Sequence, residues 1–300
     1  MSEYFLDIGW KSIRHAGEEL CGDHVDVIND HQGNLTAVVA DGLGSGVRAS
    51  ILSTLTSKII STMIAEGLPL KECVSTIAST LPVMKDKNVA YSTFTILHVS
   101  NGKTLHMVQY DNPSVILIRD GEIYEYAKQE LQIEDKKIYS SELALQEGDM
   151  CIAMSDGCPY AGPGNTYNMT WKPADIAEYM QCLSFAGYDA RTLASLLVEE
   201  CDRLYEYRPA DDATGLVLSV RKRKQVNILF GPPKKMEDTE KMMQLFFEEE
   251  GMHIVSGGST SRMVARYLDT EVIPSEKIPS NGIPPVSEIE GTDLVTEGVV

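Results

Sequence analysis

Residues Leu35–Gly46 read LTAVVADGLGSG. The apolar part, Leu35–Ala40, has the composition of a buried β-strand, and it ends on the carboxylate of Asp41. Glycines alternate with other residues after Asp41 and lead into a stretch with helical periodicity. An Asp-Gly pair after a strand is most often only a turn, so the meaning of Asp41 depends on what the rest of the chain supplies.

Acidic residues occur at the boundaries of apolar runs in other parts of the chain. These residues are Asp23, Asp156, Asp211 and Asp212. Because each adjoins a predicted core strand, a β-sandwich would gather them with Asp41 at one end. Clustered carboxylates are ligands of hard divalent cations such as Mg²⁺ and Mn²⁺. Two such ions about 3.5–4 Å apart lower the pKa of a bound water and neutralise phosphoryl oxygens.

The strand and helix pattern predicts an α+β fold with antiparallel sheets. Hairpin turns at Asn101-Gly102 and Asp120-Gly121 join consecutive strands, which favours antiparallel pairing over βαβ winding. The first predicted helix carries an apolar face made of Leu52, Leu55, Ile59 and Met63. The predicted strands are 4–13, 25–29, 35–40, 90–99, 103–110, 114–119, 122–126, 150–154 and 213–220, and the predicted helices are 47–67, 69–81, 173–185 and 190–207.

The order of these motifs resembles the metal-dependent protein serine/threonine phosphatases of the type 2C superfamily, in the bacterial SpoIIE-like branch. The segments that carry the resemblance are Cys21-Gly22-Asp23, Asp41–Ala49, Asn112-Pro113, Gly148–Gly157 and Asp211–Thr214. It covers roughly residues 5–221, and Cys21, Leu43 and Ala213 depart mildly from the family pattern. The resemblance implies an antiparallel β-sandwich flanked by helices, in the layer order α-β-β-α, with metal ions at one end between the sheets.

The resemblance also implies catalytic roles. Asp41 would bridge two ions, Mn²⁺ or Mg²⁺, and Asp156 and Asp211 would complete the shell of the first ion. The nucleophile would be a metal-bound water, so catalysis is assigned to these three carboxylates acting through that water.

The second ion is assigned to another pair of ligands. Asp23 and the backbone carbonyl of Gly42 would hold it, as the resemblance implies, and Asp212 would support the site by hydrogen bonding. The two helices that follow Gly42 are implied to position the site and to act as a switch.

Cationic side chains near the acidic set are candidates for binding a phosphate. Lys11 and Arg14 lie on the predicted first strand, although an exposed strand charge explains them equally well. His15, His24 and His31 are close in sequence to the acidic set. A histidine general acid is one interpretation, and ordinary surface or turn histidines are the favoured one.

Residues 222–300 form a second predicted domain, a small α/β unit with no assigned role. The basic run Arg221–Lys224 is interpreted as a solvated linker, and the β-α-β-α order beyond it predicts parallel strands. Gly257–Ser261 would either cradle a phosphate on free backbone amides or form a glycine turn with Ser259 or Thr260 as the helix N-cap; the turn is favoured. The apolar C-terminal end leads us to expect a truncated chain.

Composition restricts the partners and the compartment. The formal net charge of −18 argues against nucleic acid, because phosphate backbones select basic surfaces. No apolar run has the length of a transmembrane helix, and the first residues lack the pattern of a signal peptide. Scattered cysteines without metal-binding spacing fit reduced thiols. We therefore expect a cytoplasmic protein with no membrane partner.

Two functional hypotheses follow. The favoured one is a Mg²⁺- or Mn²⁺-dependent phosphatase that acts on phosphoserine or phosphothreonine of a bacterial regulatory protein, and the resemblance implies an anti-anti-sigma-like regulator. The alternative is a weakly active or inactive signalling module that keeps the phosphatase fold and senses a ligand through its C-terminal domain. Aspartate occupies all four positions whose side chains are implied to bind the metals, and this favours the enzyme hypothesis. A homodimer is left open.

Overall fold

Two antiparallel sheets form the first of two compact units, Met1–Lys222, in the computed structural model of the chain. The second unit is Arg223–Val300. The structure describes residues 3–29, 33–80, 83–84, 89–90, 92–133, 136–163, 170–275 and 286–296. Within these residues, no helix is both long enough and apolar enough to cross a membrane.

The first unit contains the predicted elements in the predicted order. It also contains the short pair Val83–Met84 and Val89–Ala90 and the strands Gln129–Ile133 and Lys136–Ala144, which were not predicted as separate strands. Its strands are β1 (Tyr4–Ile13), β2 (Asp23–Asn29), β3 (Leu35–Gly42), β4 (Val83–Met84), β5 (Val89–Ala90), β6 (Ser92–Ser100), β7 (Thr104–Tyr110), β8 (Ile116–Arg119), β9 (Glu122–Ile123), β10 (Gln129–Ile133), β11 (Lys136–Ala144), β12 (Met150–Met154) and β13 (Ala213–Lys222). Its helices are α1 (Gly46–Ala65), α2 (Leu70–Thr80), α3 (Pro173–Ser184) and α4 (Ala190–Leu204).

The first sheet has the strand order β1-β13-β12-β8-β9, and the second has the order β10-β11-β7-β6-β3-β2. Side chains alternate between the faces of each strand. In β3, Ala37 and Val39 enter the core between the sheets, whereas Val38 and Ala40 face α1 and α2. Helices α3 and α4 cover the outer face of the first sheet. These layers confirm the predicted α-β-β-α sandwich.

Helix α1 packs on the second sheet through a different face from the apolar one that the sequence suggested. Leu55 and Ile59 are 53% and 44% exposed, while the buried side is made mostly of small residues such as Ala49 and Ser57. A Cβ on Gly42 would lie 2.1 Å from the carbonyl oxygen of Ala49. The helix backbone therefore lies against the end of β3, and only small side chains fit between them.

The second unit is a small α/β fold, as predicted. Its elements are β14 (Val226–Phe230), α5 (Thr239–Glu248), β15 (Met252–Ser256), α6 (Gly258–Tyr267), β16 (Ile273–Pro274), β17 (Val286–Glu288) and β18 (Leu294–Thr296). The strands are ordered β14-β15-β18-β17-β16, and the first three are parallel. Its core contains Met243 and Phe246 of α5 and Val264 of α6 together with strand residues.

Candidate metal centre

Asp23 and Asp41 come from neighbouring strands of the second sheet and face each other. They are directly paired in the antiparallel register of β2 and β3. Asp23 is 6% exposed. Gly42 follows at the last position of β3, and its amide donates to the carbonyl of Gly22 at 3.2 Å. The register therefore places two carboxylates and the Gly42 backbone at one end of the sandwich.

Asp156, Asp211 and Asp212 come from the ends of strands in the first sheet. Asp156 follows β12, and the other two immediately precede β13, which is hydrogen-bonded to β12. Asp212 accepts a hydrogen bond from the backbone amide of His15 at 3.0 Å. Its side chain thus anchors the segment that leaves β1. The supporting role of Asp212 at the metal site stays a prediction.

Ser155 connects the two sheets at the site. Its hydroxyl donates to Asp23 Oδ2 at 2.7 Å and accepts from the backbone amide of Thr214 at 2.9 Å. All the atoms of Ser155 and Thr214 are shielded from solvent. Because Asp23 belongs to the second sheet and Thr214 to the first, this hydroxyl fixes one set of carboxylates relative to the other. Ser155 belongs to the motif Gly148–Gly157, but no role was predicted for it.

Three of the predicted carboxylates line one cavity of about 670 Å³. They are Asp41, Asp156 and Asp211, and Asp111 and His15 line the same cavity. Asp111 is a fourth carboxylate on this cavity and was not predicted; its position next to Asn112-Pro113 is the signal that could have found it. Its charge helps to raise the pKa of Asp156.

Four of the carboxyl groups at the site have raised pKa values: Asp23, Asp41, Asp156 and Asp211. Burial is the main cause for Asp41, and the charges of Asp23 and Asp156 add to it. Burial also raises the pKa of Asp23 to about 7, against hydrogen bonds from Thr214 and Ser155. Burial and then the charge of Asp156 raise the pKa of Asp211 to about 6. Asp41 and Asp156 share a hydrogen bond. The repulsion between these carboxylates would be relieved by a cation bound between them.

Two buried carboxylate oxygens lack a hydrogen-bond partner among the described residues. They are Asp23 Oδ1 and Asp212 Oδ2. Unpaired buried carboxylate oxygens are unfavourable unless a cation or donor satisfies them. In the same described residues, no three His, Cys, Asp and Glu side chains are already grouped closely enough to hold an ion. The donors are all oxygen, so their chemistry fits Mg²⁺ or Mn²⁺.

The basic side chains predicted to bind phosphate are not among the residues that line this cavity. Lys11 lies on β1 opposite Gly215, and neither Lys11 nor Arg14 is among the residues that line the cavity. His15 lines it, whereas His24 is hydrogen-bonded to Ser57 of α1. His31 lies outside the described residues.

The sandwich, with carboxylates gathered at one end, is the fold of PP2C-type phosphatase domains. The structure of the PP2C phosphatase domain and a regulatory-domain fragment of SpoIIE from Bacillus subtilis matches with a TM-score of 0.62 and 22% identity, over 75% of this chain and 64% of that one. The RsbU and RsbW domains of Rv1364c from Mycobacterium tuberculosis match with a TM-score of 0.61 and 16% identity, over 82% and 69%.

The match to a family model is more specific than the likeness in fold. The model of Stage II sporulation protein E (SpoIIE) matches residues 31–221, and the chain belongs to this family. Stage II sporulation protein E of Bacillus subtilis strain 168 is 25% identical over 224 residues, which are 72% of this chain and 26% of the relative. The chain therefore spans about a quarter of the length of that relative. The match confirms the resemblance seen in the motifs.

Proposed function

We propose that the chain is a Mg²⁺- or Mn²⁺-dependent protein phosphatase that hydrolyses phosphoserine or phosphothreonine in a bacterial regulatory protein. The observation that carries this proposal is the convergence of Asp41, Asp156 and Asp211 on one cavity, with raised pKa values that reflect burial and mutual repulsion. Membership of a family whose relatives contain phosphatase domains supports phosphoester hydrolysis.

The proposed roles follow the placement of the side chains. Asp41 would bridge two ions, with Asp156 and Asp211 on one and Asp23 and the Gly42 carbonyl on the other. The ions would supply a water of lowered pKa and neutralise the phosphoryl oxygens. In this arrangement the protein's own contribution is to hold several carboxylates at fixed positions.

Neighbouring polar residues would orient the substrate at the cavity wall. Thr93 Oγ1 donates to Asn112 Oδ1 at 2.5 Å, and Asn112 Nδ2 donates to Thr95 Oγ1 at 3.2 Å. The amide of Asn112 is therefore locked in one orientation beside Asp111. We assign it a positioning role toward the phosphorylated side chain.

The proposed substrate class is an anti-anti-sigma-like protein in the cytoplasm, because the motif resemblance implies it. A cavity of about 670 Å³ admits a phosphorylated side chain but not a folded domain, so the partner would present an exposed phosphoserine or phosphothreonine. A homodimer stays a prediction.

The test is hydrolysis of an aryl phosphate and of a phosphoserine peptide with and without Mn²⁺. We expect metal-dependent turnover by the wild-type chain and a loss of at least about 100-fold in Asp41→Asn, because the bridging ligand is weakened. Asp202→Asn, a carboxylate on α4 away from the cavity, serves as the matched control and should keep its rate. Equal rates for wild type and Asp41→Asn would refute the proposal and favour an inactive signalling module.

A further inference from the structure

The turn between β15 and α6 in the second unit leaves backbone donors unused. Gly257 donates its amide to Thr296 O at 2.8 Å, and the first amide of α6 that bonds within the helix is that of Ser261, to Gly257 O at 2.9 Å. No side chain caps this helix of 10 residues. The amides of Gly258, Ser259 and Thr260 therefore point out of the helix N-terminus, where the helix dipole attracts negative charge.

A second, independent observation is the hydroxyl of Thr260. This residue is 1% exposed, and its Oγ1 has no hydrogen-bond partner among the described residues. In the same turn, the hydroxyl of Ser261 donates to Gly257 O, and on the neighbouring strand β18 the hydroxyl of Thr296 donates to Ser256 Oγ. A buried hydroxyl without a partner is unfavourable, so Thr260 indicates a missing acceptor.

The Thr260 hydroxyl is directed toward the start of the helix. Its Oγ1 lies 3.5 Å from the position that a Cβ of Gly257 would take, and side chains on a helix lean toward its N-terminus. A Cβ on Gly258 would meet nothing within 4 Å. Gly257 has a φ of +103°, a conformation that suits glycine. The turn therefore offers open space beside the free donors.

The turn also lies at the carboxyl ends of two parallel strands. β15 ends at Ser256 directly before the turn, and the parallel strand β18 ends at Thr296, whose carbonyl fixes Gly257. Ligands of open parallel sheets bind at this edge, because the strand ends and helix N-termini meet there.

We propose that this turn binds the phosphate group of a small phosphorylated ligand. A phosphate has only acceptor oxygens and enough of them to take the free amides of Gly258 and Ser259 and the Thr260 hydroxyl together. The site belongs to the second unit and does not depend on the proposed reaction of the first. It would let the chain respond to a phosphate-bearing metabolite.

The experiment is isothermal titration calorimetry on the full chain with inorganic phosphate and with AMP. It is run in EDTA with both probes, and again in Mn²⁺ with inorganic phosphate, so that phosphate bound at the carboxylate site is recognised by its metal dependence. The variant is Thr260→Val, which replaces the hydroxyl by a methyl group of similar size. Thr239→Val is the matched control, because Thr239 begins α5 and its hydroxyl already donates to Met236 O.

We expect metal-independent binding that Thr260→Val weakens by about tenfold or more and Thr239→Val leaves unchanged. Thermal unfolding of ligand-free Thr260→Val should occur at or above the wild-type temperature, because an unpaired hydroxyl is removed. AMP binding more tightly than phosphate would support a phosphorylated metabolite, and equal affinities would support free phosphate as the source. Absence of metal-independent binding of either probe, or equal affinities of Thr260→Val and wild type, would overturn the proposal.

Discussion

Ser155→Ala tests whether the bridge between the two sheets organises the metal centre. The substitution removes the 2.7 Å hydrogen bond to Asp23 and deprives the buried Thr214 amide of its acceptor at 2.9 Å. A hydrogen bond to a charged group contributes about 1.5–3 kcal/mol, and an orphaned buried amide costs about 1–3 kcal/mol. Since the two effects overlap at one site, we expect the free energy of unfolding to fall by about 2–4 kcal/mol.

The same substitution should weaken metal binding. Partners that orient a metal ligand typically change affinity by about 10–100-fold, so Ser155→Ala should require that much more Mn²⁺. Because the Ser155 hydrogen bond lowers the pKa of Asp23, its loss should also move half-maximal metal binding to higher pH. At saturating Mn²⁺ the turnover number should change less than the Mn²⁺ requirement.

Urea denaturation measures the stability change, and calorimetric titration with Mn²⁺ measures the affinity. Ser53→Ala is the control, because the Ser53 hydroxyl is also fully buried but donates only to Ser50 O within α1. If Ser155→Ala binds Mn²⁺ as tightly as wild type and loses no more stability than Ser53→Ala, the hydroxyl does not organise the site.

Two further predictions concern the contact between α1 and the second sheet. Burial tends to raise the pKa of Asp26, but its hydrogen bonds to Lys58 and Ser61 outweigh burial and hold the pKa below its usual value. The ionised Asp26 carboxylate therefore stabilises the fold fully above about pH 3.9, the pKa in the unfolded chain. This stabilisation is lost as the pH falls through the pKa of the folded state. The stability difference between wild type and Asp26→Asn, from urea denaturation, should shrink below that pH, and a constant difference would contradict this. Gly42→Ala should reduce stability by about 1–3 kcal/mol or more, because its Cβ would lie 2.1 Å from a carbonyl oxygen of α1. Thermal and urea unfolding should show a smaller loss for Gly258→Ala, whose Cβ would meet nothing within 4 Å and whose backbone lies outside the left-handed region, and equal losses would refute the close contact.

Strands with a strong local pattern could be predicted from the sequence, and strands without one could not. β3 is apolar along most of its length, and β1, β12 and β13 also lie close to their predicted bounds. β10 and β11 were missed because Gln129–Ile133 and Lys136–Ala144 are rich in polar and charged residues. β10 is an edge strand, where solvent replaces part of the apolar packing.

The packed face of α1 is a second feature that could not be predicted from the sequence. The sequence offers apolar residues on more than one side of this helix, and local periodicity cannot tell which side is buried. The close approach of Ala49 to Gly42 decides which side of α1 is buried, and that side carries mostly small residues together with Ile60. Leu55 and Ile59 consequently remain exposed.

By itself, the sequence determined which carboxylates stand at the ends of core strands, because apolar runs and the residues that end them are local features. Tertiary structure alone decided that they meet. The β2–β3 register sets Asp23 opposite Asp41, and the Ser155 hydroxyl joins that pair to the end of the first sheet. The raised pKa values also belong to the folded state, because burial and repulsion act only once distant carboxylates share one low-dielectric site.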